Sequence, residues 1–225
     1  MNLVRATDKP LDATGSKPLV RPKGRLIFAL DATASRQPTW AIARELQARL
    51  FTDSAPVGQL KVQLAFYRGD ECKFSKWHDS GETLVNLMYG IECVGGVTQI
   101  RKILSHAVTE TLKEQVQGLV FVGDALEEPI AELASIAGEL GSLHTPIHVF
   151  QEGRDAAVRD GFRLLALRSG GAYYELDPNR PGGIAKFASQ LGAIARHVVG
   201  DKTALPRSAP AQALPKPGNP GRLLR

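Results

Sequence analysis

The stretch RLIFALDATAS, residues 25–35, decides how this chain folds. Residues 25–30 form a short run with almost no polar interruption. A run of that length, ending abruptly at Asp31, suits a β-strand buried on both faces, as in a parallel sheet. Beyond it, Asp31, Thr33 and Ser35 alternate with alanines. An extended or turning loop with that alternation can aim a carboxylate and two hydroxyls toward one centre.

Working outward, the same design recurs. GLVFV (118–122) is a second continuously apolar run, followed by Gly123 and Asp124. Further strands are expected at 60–67, 72–78, 146–150 and 172–176. Helical spacing places Ile42, Leu46 and Leu50 on one face of a helix from about Pro38, a residue that fits a first turn. Ile100, Ile103, Leu104, Ala107 and Val108 mark another helix after Thr98. Further helices are expected at 82–90, 129–140, 155–169 and 183–199. Strands separated by helices imply an α/β fold: a doubly wound, mostly parallel central sheet with helices on both faces. Such sheets bind ligands at the carboxyl ends of their strands. The residues there are Asp31, Thr33 and Ser35 after the first strand, Asp124 after the 118–122 strand, and Thr98 after Gly95-Gly96. Two carboxylates and three hydroxyls form a hard oxygen set, which suits Mg²⁺ or Mn²⁺.

The order Asp31-x-Thr33-x-Ser35, then Gly-Gly-x-Thr98, then Asp124 after an apolar strand resembles the metal-ion-dependent adhesion site of von Willebrand factor A domains. The resemblance covers about residues 24–199. It implies that Thr33, Ser35 and Thr98 contact the metal through their hydroxyls. Asp31 and Asp124 would act through water or through hydrogen bonds to those hydroxyls, and an open position would accept a partner's carboxylate. The sequence departs from the family pattern twice: Thr33 stands where Ser is usual, and Val122-Gly-Asp124-Ala lacks the usual Thr-Asp-Gly. Stand-alone intracellular proteins of this kind resemble adaptors serving ATPase, chaperone or stress-response systems, so the expected partner is a protein from such a system.

Each residue also has a plain structural role open to it. Thr98 can cap the helix after it, Asp124 with Glu127 can form a capping box for the helix near 129, and Thr33 and Ser35 can be turn residues. A second chemistry is open as well. Asp31 at a strand end and the acidic run from Asp124 to Glu128 resemble a haloacid-dehalogenase-type phosphatase with Asp31 as nucleophile. That reaction needs an acid two residues later, where this chain has Thr33.

Composition bounds the rest. Of 225 residues, 43% are apolar, enough for a substantial core. Residues 1–23 carry +3 and 201–225 carry +4, so against a total of +5 the middle is net −2. Basic charge confined to Pro-rich tails is not the footprint of a nucleic-acid-binding domain. We therefore expect tails at 1–23 and 201–225 around one domain at 24–200. No apolar run spans a membrane and no secretion signal precedes the domain, so a cytoplasmic location is expected. Cys72 and Cys93 are too few for a disulfide framework and are expected to be reduced thiols, although one bridge between them is open. His78, His106, His144, His148 and His197 show no metal-ligand spacing on a common face.

Overall fold

A computed structural model describes residues 24–37, 40 and 60–204. The expected helix from Pro38 and most of both expected tails lie outside the described residues. Within them the elements run β1 (Gly24–Asp31), a 3₁₀ turn (Ala34–Arg36), β2 (Leu60–Arg68), β3 (Glu71–His78), α1 (Gly81–Tyr89), α2 (Ile100–Lys113), β4 (Gly118–Gly123), α3 (Ile130–Ser142), β5 (Ile147–Glu152), α4 (Ala156–Ser169), β6 (Tyr173–Leu176) and α5 (Gly183–Val198).

The six strands form one sheet in the order β3-β2-β1-β4-β5-β6. All neighbours are parallel except β3, which pairs antiparallel with β2 at one edge. β1 and β4 sit in the middle and are buried at every residue, which explains why both read as continuous apolar runs. β2, an internal strand with core on both faces, is mostly buried as well.

The sheet separates two cores. One face holds Leu26, Phe28, Leu30, Val120, Val122 and Phe150 against Leu84 and Met88 of α1 and Phe187, Leu191 and Ile194 of α5. The other holds Ile27, Ala29, Leu119, Phe121 and Val149 against α2, α3 and α4. Tyr174 packs on the first core and Tyr173 on the second, following the two-residue alternation of a strand. Both cysteines are free, and burial pushes the Cys72 thiol up to about 11. Among the described residues, no helix is long and apolar enough to cross a membrane.

Two histidines come near one another on the side of the first core. His148 on β5 is 3% exposed and lies near His197 of α5 and the Tyr174 ring, whose centroid is 6.5 Å away. Burial, reinforced by His197, pushes the His148 imidazole down to about 4.

Candidate metal centre

Because β1, β2 and β4 are parallel neighbours, their carboxyl ends emerge together. Asp31 is level with Tyr67 in the β1–β2 register, and both point toward the α2 side of the sheet. The Asp31 carboxylate is fully buried. Its Oδ1 accepts the Thr33 amide at 2.8 Å, and its Oδ2 accepts the Tyr67 hydroxyl at 2.9 Å. The Thr33 and Ser35 hydroxyls lie 3.1 Å apart. The chain therefore turns after β1 so that its two hydroxyls converge, and Asp31 orients that turn.

Asp124 follows β4 and faces Asp31. Its Oδ1 is buried and has no hydrogen-bond partner among the described residues. Burial raises the Asp31 pKa above the usual carboxylate value; the Thr33 hydrogen bonds pull it down and the Asp124 charge adds to the rise. The Tyr67 phenol is raised well above its usual value by burial and by the Asp31 charge, so it remains a proton donor to Asp31. Gly123 keeps this junction open. A Cβ there would lie 2.8 Å from the Phe121 ring and 3.5 Å from the Asp31 Cβ.

Thr98 enters from a third loop. Val94 of that loop donates its amide to the Ala32 carbonyl at 3.1 Å, tying it to the turn after β1. Gly96 packs on the backbone of Gly69, leaving no room for a Cβ. The buried Thr98 does not cap α2, whose first flanking residue is Gln99 with no side-chain cap. Instead its amide donates to Glu127 Oε2 at 2.8 Å and its hydroxyl accepts the Glu127 amide at 3.1 Å. The capping-box alternative for Asp124 and Glu127 is likewise corrected, because α3 starts after Pro129 with no side-chain cap. Glu127 instead reaches across to Thr98, just before α2.

Glu128 completes that clamp. Its carboxylate accepts the amides of Ile100 at 2.6 Å and Arg101 at 2.9 Å, two donors that a helix N-terminus leaves unpaired. A carboxylate there also complements the helix dipole. Replacing Glu128 with Ala should lower stability by about 1–2 kcal/mol, read as a reduced urea midpoint with an unchanged slope.

The five expected residues thus lie on three loops joined to one another. Asp31, Thr33 and Ser35 are linked directly, Asp124 faces Asp31, and Thr98 is bound to the loop that carries Asp124. The sequence did not single out Tyr67, Glu127 or Glu128 as hydrogen-bond partners of these loops. Only the acids near 127 carried a signal, and it pointed to the wrong helix. Among the described residues no cluster of three His, Cys, Asp or Glu side chains gathers, so any cation here depends on hydroxyl oxygens. A cleft of about 530 Å³ lies further along the same edge, between Tyr173, Arg159 and the start of α5; its lining contains none of the five residues.

The phosphatase alternative fares poorly against this geometry. Both oxygens of Asp31 are engaged, and position 33 offers a hydroxyl rather than an acid.

No family model and no curated protein matches the sequence. Solved structures do match the fold. The proximal thread matrix protein 1 of the mussel byssus, solved with a zinc-occupied MIDAS motif, aligns with a TM-score of 0.62 at 12% identity, covering 78% of this chain and 46% of that one. The SpRpn10 VWA domain aligns at 0.60 and 12% identity, covering 75% and 95%. A von Willebrand factor type A protein from Catenulispora acidiphila aligns at 0.60 and 14%, covering 77% and 43%. This chain thus spans less than half of the mussel and Catenulispora proteins, and nearly all of the SpRpn10 domain. It has the von Willebrand factor A fold.

Proposed function

We propose that this fold serves as a metal-dependent protein-binding module, in which a divalent cation held by Thr33, Ser35 and Thr98 receives an acidic side chain from a partner protein. The observation that carries the reading is Asp124 Oδ1, a buried acceptor without a donor, set opposite the buried Asp31. Burial and the nearby Asp124 charge raise the proton affinity of Asp31, and a cation beside the two carboxylates would relieve that repulsion. The donors that converge there are hydroxyls, and hard oxygens suit Mg²⁺ or Mn²⁺. Asp31 has both oxygens engaged, which fits an orienting role rather than direct ligation. Neutral direct ligands leave the cation electrophilic, so it would attract a further carboxylate. The zinc-occupied site of the mussel protein supports metal binding on this fold. A protein of an ATPase or chaperone system is the partner that the family resemblance suggests.

The test is Mn²⁺ titration of the full chain by electron paramagnetic resonance, with and without acetate as a carboxylate probe, for the parent, Thr98→Ala and Asp124→Asn. The parent should bind, and each variant should lose about 10–100-fold in affinity. Acetate should tighten binding to the parent. A parent that binds no Mn²⁺ under either condition sinks the reading. Metal-dependent hydrolysis of a generic phosphate ester, abolished in Asp31→Asn, would replace it with the phosphatase.

A further inference from the structure

Arg36 directly follows the hydroxyl pair, and its side chain turns inward although solvent lies close by. Ser35 beside it is exposed, whereas the Arg36 side chain has 0% exposure. Its Nε lies 2.9 Å from Oε2 of Glu152, whose side chain is 14% exposed. A buried guanidinium is costly without counter-charge, and Glu152 supplies one.

The location of the pair gives it a role. Arg36 closes the 3₁₀ turn, and its amide donates to the Thr33 carbonyl at 3.0 Å. Glu152 ends β5, two strands away from β1 in the sheet order β1-β4-β5. In the β4–β5 register Gly123 stands opposite Gln151, so Glu152 comes level with Asp124. The ion pair therefore spans from the turn carrying Thr33 and Ser35 across the end of β4, where Asp124 sits. The anchor is itself held fast. Gln151 donates to the Asp155 carbonyl at 3.0 Å and accepts the Tyr173 hydroxyl at 2.7 Å, which ties the end of β5 to α4 and β6.

We infer that Arg36 and Glu152 are a positioning pair for the cation site: the ion pair draws the 33–36 turn over the end of β4 and fixes the two hydroxyls relative to Asp124. The inference rests on the metal-site reading above. Outer residues that hold ligands in place commonly change metal affinity 10–100-fold when removed.

Removing one member alone would leave a buried charge and could unfold the chain, so the decisive variant is the double replacement Arg36→Met with Glu152→Gln, which keeps similar volume and leaves no charge. Arg36→Lys serves as the conservative control. Three quantities are measured on the full chain: the cooperative unfolding transition, Mn²⁺ affinity, and hydrogen exchange of the backbone amide at position 36 without metal. The double variant should retain cooperative unfolding, lose about 10–100-fold in Mn²⁺ affinity, and exchange that amide at least about 10-fold faster. Arg36→Lys should fall between it and the parent. Mn²⁺ affinity within about 2-fold of the parent, or lost affinity with unchanged exchange, overturns the inference. A parent that binds no Mn²⁺, while exchange at position 36 still depends on the pair, fails the metal reading alone and leaves the ordering of the turn standing.

Discussion

Phe150→Ala should destabilise the protein by about 3–5 kcal/mol, the range for emptying a fully buried aromatic site. Phe150 has no exposed surface. Its ring stacks on Tyr174 at 4.6 Å and meets Phe187 edge-on at 4.8 Å, so a single side chain joins β5, β6 and α5. β6 is otherwise held through Leu176 in the first core and Tyr173 against the second. Alanine would forfeit both ring contacts and leave a cavity that neither strand can close without breaking its pairing. Phe150→Leu keeps most of the volume and should lose about half as much or less. Chemical denaturation of the two variants beside the parent checks the ranking; equal midpoints for Phe150→Ala and the parent would show that α5 does not depend on this ring.

Acidification should destabilise the same region. His148 is neutral in the folded protein down to about 4, whereas in the unfolded chain it takes up a proton near 6.5. Between those values the unfolded state binds more protons, so stability falls as pH falls. The loss begins below about 6.5 and amounts to about 3 kcal/mol near pH 4. Above 6.5 this group contributes no pH dependence. His148→Gln should flatten the stability profile between pH 6.5 and 4. Urea midpoints across that range for parent and variant provide the measurement, and parallel profiles would show that another group dominates.

The sequence revealed the frame of this molecule more readily than its fittings. β1 and β4 could be read at once, because strands buried on both faces need an unbroken apolar run, and their ends then locate Asp31 and Asp124. The helices were legible from their spacing wherever they are described. The supports of the candidate site were not. Tyr67 reaches Asp31 only because β1 and β2 share a register, a fact that neither strand's own pattern encodes. Glu127 and Glu128 precede α3, and Glu127 reads as part of its capping box, yet both bond residues 98–101 across a gap of 27 to 29 positions. Nothing in the sequence around Arg36 announces a counter-charge at Glu152. Local pattern reports what an element needs for itself; contacts between the ends of different strands follow from topology.

The two margins of the sheet also bear on how crowded chains treat one another. At one margin, β3 shifts register against β2 near Gln63 and Ala65 and presents Glu71, Lys73 and Lys76. At the other, β6 is only four residues long. A kinked, charged strand and a stub are poor templates for an incoming chain. Among the described residues, the long flat strands that could seed intermolecular cross-β growth, β1 and β4, have both flanks occupied. Colloidal safety in the native state therefore comes from the order in which strands are stacked, and the most aggregation-prone stretches, 25–30 and 118–122, are shielded for as long as the sheet stays closed around them.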